Sequence, residues 1–262
     1  FGLTDGYQNI VVTLNGRRLN NIDMTNSNLG GINIDSIEKI EIAMGSGSVV
    51  YGDNATAGAV HIFTKTNEGF NTSTSFGNYG HQKRTLSYGI SDDTFNFNIL
   101  IDRLDHGGYG SPDSIGNKDK GSQANANTSL GFRLENGANI QFDRLNYKVN
   151  NKYPYSLSKT QFDLNPSNDA SSKARTHKDA DSKTTGLKVT FPLSNKLEVD
   201  FDTFKTKKYS QTRYGNATGY GPWGKKDYDY SNNDLTITYS NDNIKINSGI
   251  KSLKANRKGS SD

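Results

Sequence analysis

The sequence predicts an antiparallel all-β membrane barrel preceded by a smaller α+β domain. Three observations carry that prediction. Only 32% of the 262 residues are hydrophobic, fewer than a soluble domain uses to fill a core, yet the chain is not depleted of aromatics as a disordered segment would be. Apolar and polar residues alternate through one run after another, the pattern of a strand with only one face toward lipid. The turns between those runs are alternately short and long. No apolar run approaches the ~18 residues that a membrane helix requires.

The first region runs to about residue 66. Phe1 to Ile10 reads as an entering loop, and no signal peptide precedes it, so a leader is expected to have been removed or left out. Val11 to Leu14 is a short strand, and Asn15-Gly16 is a strong hairpin signal. Asn20 to Gly31 is polar and rich in turn formers. Ile34, Ile37 and Ile40 recur at i, i+3 and i+6, one face of a short helical turn. Ile40 and Ile42 then flank Glu41 in strand fashion. Gly45, Gly47 and Gly52 punctuate turns, and Ala57 to Lys65 is a second β-rich run.

Taken in order, these pieces resemble the C-terminal half of the plug domain of TonB-dependent outer-membrane receptors. The carriers are Ile37-Glu38-Lys39-Ile40-Glu41-Ile42, the Gly45 to Gly52 turn with Tyr51 before Gly52, and Ala57 to Lys65 with Gly58 near its start. Val11 to Asn20 resembles the preceding strand and hairpin. The sequence departs from the family pattern at Lys39, where Arg is usual, and at Ser46, where Pro is common. Lys offers a single-point contact where Arg offers a fork. The resemblance gives Glu38, Lys39, Glu41, Gly45, Tyr51, Gly52 and Gly58 structural roles. It places Asn20 to Gly31 at the plug apex, with Asn20, Asp23, Asn26 and Asn28 as ligand contacts.

From residue 67 the chain reads as a meander of nine strands, each expected to span the ~9–11 residues of a tilted membrane strand. The clearest is Thr94 to Asp105, where Phe95, Phe97, Ile99 and Ile101 alternate with Asn96, Asn98 and Asp102. Short turns are expected at 92–93, 135–137, 193–195 and 240–242. Long loops are expected at 106–121, 150–181 and 211–227, and these would face the cell exterior. Tyr147 is expected in the aromatic girdle at an outer strand end. Nine is odd, whereas single-chain bacterial barrels are even and closed. Receptors of the resembled family enclose their plug in a barrel of about 22 strands. The chain is therefore expected to be a fragment: half a plug at 1–66 and the first part of a barrel at 67–262.

Other function classes fare worse. Glu38 and Glu41 have no His at triad or metal spacing, so a catalytic pair is not supported. Gly45-Ser46-Gly47-Ser48 lacks the Gly-Lys-Ser/Thr ending of a phosphate loop. His61 sits on a strand between Val60 and Ile62 and reads as packed. Asp163, Asp169, Asp179 and Asp181 are too irregularly spaced for a calcium loop. The charge of +4 is scattered, without a basic helix, so no nucleic acid is expected. No enzyme, metal or cofactor is expected. The resemblance implies a Gram-negative outer-membrane receptor that binds an iron siderophore, haem or cobalamin and imports it with energy from the inner-membrane TonB complex. The segment that touches that complex would lie upstream of Phe1. Outer-membrane lipid and lipopolysaccharide are the other implied partners. A passive porin or adhesin barrel is the alternative, and it leaves the plug-like region unexplained.

Overall fold

The computed structural model describes residues 10–21, 32, 34–45, 55–154, 157–166 and 173–261. The chain divides into two compact units, Phe1–Thr66 and Asn67–Asp262.

The first unit is built on a four-stranded mixed sheet in the order β2-β1-β4-β3. Its strands are β1 (Ile10–Leu14), β2 (Arg17–Arg18), β3 (Ile37–Met44) and β4 (Gly58–Thr64). Asn15 and Gly16 turn β1 into β2 with φ of 50° and 79°, the paired positive angles of a hairpin turn that suits the strand twist. Central β4 runs parallel to β1 and antiparallel to β3. Val11, Ala55 and Ala59 form its buried cluster, with Ala43 against it. Gly58 has φ of +138°, and a Cβ there would stand 2.2 Å from the Ala43 carbonyl oxygen. Only glycine fits that approach. The helical reading of Ile34 to Ile40 holds for a single 3-10 turn, Ile34–Ser36, and Ile37 already opens β3. Ile34 and Ile40 are exposed. With no buried stripe to stabilise it, a helix this short loses to strand pairing with β4.

The second unit is one nine-stranded antiparallel meander. Its strands are β5 (Gly69–Gly77), β6 (His81–Ser91), β7 (Phe95–His106), β8 (Gly121–Arg133), β9 (Asn139–Tyr153), β10 (Thr176–Ser194), β11 (Leu197–Arg213), β14 (Gly224–Ser240) and β15 (Lys245–Ser261). The small hairpin β12 (Gly215–Asn216) and β13 (Gly219–Tyr220) stands between β11 and β14. Strand lengths reach 19 residues in β10, longer than the ~9–11 that crossing a bilayer takes. Turns at one end are short. Asp92 accepts from the backbone N–H groups of Thr94 and Phe95 at 2.8 and 2.7 Å. Asn241 does the same for Asn243 and Ile244 at 3.0 and 2.8 Å. Asn136 and Gly137 turn β8 into β9, with Gly137 at φ 81°. The opposite end carries loops 107–120, 154–175 and 214–223, together with one tight turn at Asn78–Gly80.

Burial on this sheet is inverted relative to a soluble sandwich. On β7, Asp102 is 4% exposed while neighbouring Ile101 is 45% exposed; on β9, Asp143 is 7% exposed and Phe142 is 42% exposed. The polar face is the covered one and the apolar face the open one, as in a membrane barrel and unlike a sandwich. Tyr147 lies four residues from Asp143, on the same face of β9, and pairs in register with Ser182 and Asn125, both buried. It therefore belongs to the polar inner face and not to an outer girdle.

Phe97 and Ile99 share the open face with Ile101. Replacing Phe97 by Arg is expected to destabilise the folded barrel by ~2–4 kcal/mol, whereas Asn98→Arg is tolerated. Urea titration of the full-length protein in lipid vesicles measures both. Equal effects at the two positions would overturn the assignment of faces.

Candidate ligand-binding site

Of the predicted apex contacts, Asp23, Asn26 and Asn28 lie outside the described residues, as do the motif residues Tyr51 and Gly52. Asn20 is described and is buried. Its Oδ1 accepts from the Val12 N–H at 2.7 Å, and its Nδ2 donates to the Ile10 carbonyl at 2.9 Å. That amide takes the place of a further β2 residue along β1. Asn20 thus anchors the start of the polar segment.

The remaining motif residues have visible structural tasks. The register skips Glu38, so that Ile37 opposes Thr64 and Lys39 opposes Phe63. Glu38 is the extra residue of a bulge. Two residues apart on β3, Lys39 and Glu41 share one face, where Lys39 Nζ reaches Glu41 Oε1 at 2.7 Å and sits 4.8 Å from the Phe63 ring centre. The hydrogen bond and charge of Glu41 raise the Lys39 pKa. Both side chains are exposed, so the pair contributes little to stability. Gly45 has φ of +99°, and its N–H donates to the Ala57 carbonyl at 3.3 Å. Thr13 Oγ1 and His61 Nδ1 are hydrogen-bonded at 2.8 Å, which places His61 in the packed sheet.

In the second unit the loops 107–120 and 154–175 are fastened to each other by residues that sequence reasoning missed. Arg175 is 1% exposed. Its backbone N–H donates to Asp113 Oδ2 at 2.7 Å, and its guanidinium donates to the carbonyls of Ser111 at 2.6 Å and Asn117 at 3.3 Å. Asp113 Oδ1 also accepts from the N–H groups of Ile115 and Asn117 at 3.1 and 2.8 Å. Lys152 Nζ donates to Asn117 Oδ1. Asp119 caps Gly110 N–H at 2.9 Å, with its carboxylate 4.0 Å from the Arg175 guanidinium. The only local signals for this clasp are the turn formers of 107–120, because its partners lie some 60 residues apart.

Beside the clasp is a cleft of about 560 Å³, lined by Tyr109, Asp119, Leu157, Lys159, Phe162 and Arg175 among others. That volume is in the range of small-ligand sites, as is the mixture of aromatic walls with a few charges. One wall is helix α1 (Lys159–Leu164), whose Ser158 and Gln161 form a reciprocal capping box. Asp163, on the same helix, pairs with Lys159 at 2.6 Å. Asp179 is on β10, bonded by Gln211 Nε2 at 3.1 Å. Asp181 follows two residues on along the same strand, Asp163 stands on a different element, and Asp169 lies outside the described residues. Above β11, Arg213 stacks between the rings of Tyr220 and Trp223 at 3.9 and 4.5 Å. Tyr228 is instead buried on the inner face, stacked on Tyr230.

Residues 1–59 match the family model of the TonB-dependent Receptor Plug Domain. No curated protein matches the chain. Among solved structures, the chain is similar to the ferric yersiniabactin uptake receptor FyuA from Yersinia pestis, with a TM-score of 0.80 at 10% identity over 97% of this chain and 41% of that one. It is also similar to the ferric citrate transporter FecA (0.77, 12% identity, 96% and 39%) and the copper transporter OprC (0.71, 12% identity, 96% and 40%). The chain thus spans about two fifths of these structures. Residues 1–59 thus match a TonB-dependent receptor plug, and the chain as a whole shares the fold of the corresponding part of these receptor structures.

Burial raises the Asp113 pKa, but the hydrogen bonds from Arg175, Asn117 and Ile115 outweigh it, and the net value is lowered. A lowered carboxylate stabilises the fold above its unfolded pKa, and that contribution disappears as pH falls through the folded value. The clasp is expected to hold from neutral pH down through the ordinary carboxylate range and to open in stronger acid. Asp113→Ala should weaken it at pH 7 by ~1–3 kcal/mol for each N–H left unsatisfied. Limited proteolysis of loop 107–120 across pH, in parent and variant, reads both effects.

Proposed function

We propose that the protein is an outer-membrane receptor of Gram-negative cells that binds a scarce nutrient and imports it to the periplasm, powered by the TonB complex. The nutrient is an iron siderophore, haem or cobalamin. The observation that carries this reading is the match of residues 1–59 to a TonB-dependent receptor plug, joined to a sheet whose apolar face is open. In this reading further strands close the barrel, since lipid cannot satisfy the free edges of β5 and β15. In this reading outer-membrane lipid and lipopolysaccharide surround the barrel. The protein performs no catalysis and carries no resident cofactor or metal. The described positions of Glu38, Lys39, Glu41, Gly45 and Gly58 support the structural roles assigned to them.

The test is growth of a deletion strain under nutrient limitation, complemented with the full-length gene and supplied in turn with ferric chelates, haem, cobalamin and copper. One ligand should restore growth, and only when TonB is present. Growth independent of TonB would favour a passive porin.

Topology gives a second check. Loops 107–120, 154–175 and 214–223 share one end of the sheet, and in this reading that end is outside the cell. A cysteine at Ser167 is expected to react with an impermeant maleimide on whole cells, whereas labelling only after lysis would invert the barrel.

The plug apex gives a third. Ala at Asp23, Asn26 or Asn28 is expected to leave a ligand group without its partner. The loss is on the order of 1–3 kcal/mol, roughly ten- to a hundredfold in affinity, by equilibrium binding to the full-length receptor. Ala at Asn20 should instead lower stability, because its amide is committed to β1. Parent-like binding by all three apex variants would assign recognition to the barrel loops alone.

A further inference from the structure

The polar inner face of the barrel sheet changes sign along its length. Residues directly opposed in antiparallel strands share a face, so from β10 to β15 the register sorts this face into rows. The row nearest the loops carries Lys178, and the next carries Lys226. The third carries Lys208 and Arg257 on either side of Tyr228, and the fourth carries Tyr230. On these four strands, the four rows hold no carboxylate among their described residues. Along the third row the first carboxylate is Asp102 on β7, four strands from Lys208 and bonded to Asn125. Farther from the loops the composition reverses. Asp202 opposes Asp234, and Asp200 follows one row on. The lysines there are paired, Lys251 with Asp234 at 3.2 Å and Lys188 with Asp200 at 3.5 Å.

The upper cations are held in place rather than free in solvent. Lys178, Lys208 and Lys226 are half-buried, and Arg257 is exposed. Lys208 Nζ sits 5.1 Å from the ring centre of Tyr230, which stacks on Tyr228. Burial and the charge of Lys226 lower the pKa of Lys178, at the loop end of β10, so these cations feel one another. Three strand spacings of ~4.8 Å and four residues of ~3.3 Å give the patch a span of about 14 by 13 Å.

We propose that this patch is the wall on which the transported nutrient docks, and that the nutrient is a chelate of net negative charge, with carboxylate or catecholate oxygens facing the cations. The inference rests on the receptor reading above and narrows its nutrient. Like charges gathered on one wall repel, and an anion laid across them relieves that repulsion, whereas a neutral chelate does not and a metal cation adds to it. A surface lined by one sign of charge also concentrates the oppositely charged solute. The patch is too wide for a single small oxyanion and matches a chelate about 10 Å across. The carboxylate rows beyond it repel an anion, which confines docking to the loop end of the sheet.

The test is equilibrium binding to the full-length receptor in detergent. The anionic probes are a ferric tris-catecholate, ferric citrate and haem. The others are a neutral ferric tris-hydroxamate, cyanocobalamin and cupric ion. The variants are Lys226→Gln, the quadruple Lys178→Gln/Lys208→Gln/Lys226→Gln/Arg257→Gln, and Lys207→Gln, which removes the same charge from the open face of β11. Heat-modifiable migration shows which are folded, and Lys226→Gln carries the test if the quadruple is not. The parent is expected to bind one anionic probe at least tenfold more tightly than any neutral or cationic one. Lys226→Gln should lose several-fold and the quadruple about a hundredfold, while Lys207→Gln binds as the parent does. Salt should weaken the parent's binding and leave the residual binding of the quadruple little changed. Preference of the parent for a neutral or cationic probe overturns the proposal and leaves the receptor reading standing. Parent-like anion binding by Lys226→Gln and the quadruple, or an equal loss in Lys207→Gln, does the same. Binding of no probe, with no TonB-dependent growth on any of them, overturns both.

Discussion

Backbone pairing is the constraint on which the barrel sheet depends. In hydrocarbon every N–H and C=O must find a partner within the protein, so a strand that crosses must pair along its whole length. The β10–β11 ladder runs in unbroken register from His177–Arg213 to Pro192–Glu198, with a single irregularity near Ser194. Once the ladder satisfies the backbone, side chains need not be apolar on both faces. That freedom lets so hydrophilic a sequence build a sheet with one open apolar face. Asp102 and Asn125 hydrogen-bond at 3.1 Å on the inner face, while Ile101 and Ala126, one residue along, occupy the outer face.

The same ladders set the stage for the loops. Strands continuing past the apolar band carry β9, β10 and β11 well beyond it and deliver Lys152, His177 and Arg213 side by side. His177 accepts from the Arg213 guanidinium at 3.3 Å, and burial together with the Arg213 charge lowers its pKa. The two cations on either side also meet neutral partners: Lys152 the Asn117 side chain, Arg213 the Tyr220 and Trp223 rings. These contacts tie loops 107–120 and 214–223 to the strand ends. Arg175 acts at a neighbouring point, and its burial is tolerable because carbonyls and Asp113 meet its N–H groups. Cations at the strand tips are thus shared between the strands and the described parts of the loops.

How far the fold could be read from the sequence follows from the range of each interaction. Asn15-Gly16 and Asp92-Asp93 announce their turns because the deciding contacts lie within three residues. The strand β7 is legible because period two is written in Phe97, Asn98 and Ile99 themselves. The helical spacing of Ile34, Ile37 and Ile40 misleads, since partner strand β4 is 20 residues downstream and its pairing decides the outcome. Tyr147 misleads for a different reason: it is aromatic and near a strand end, but parity with Asp143 outranks residue type in choosing a face. The clasp of Asp113 and Arg175 has no local signature at all, because 62 residues separate the two.

Asn20 shows how a sheet closes its own edge with a side chain. A strand as short as β2, with two residues, leaves the outer edge of β1 with unmet groups at Val12 and Ile10. Leu19 N–H meets the Val12 carbonyl at 2.8 Å, and the Asn20 amide meets the Val12 N–H and the Ile10 carbonyl. By residue 20 that edge is satisfied, and β1 makes no further demand on the chain that follows. A side chain with both donor and acceptor in one plane is needed for this, which Asp or Ser cannot supply. The polar character of Asn20 belongs to the sheet, although in sequence it is indistinguishable from that of Asn26 or Asn28. Composition alone groups them, and only the position of the last satisfied edge separates anchor from segment.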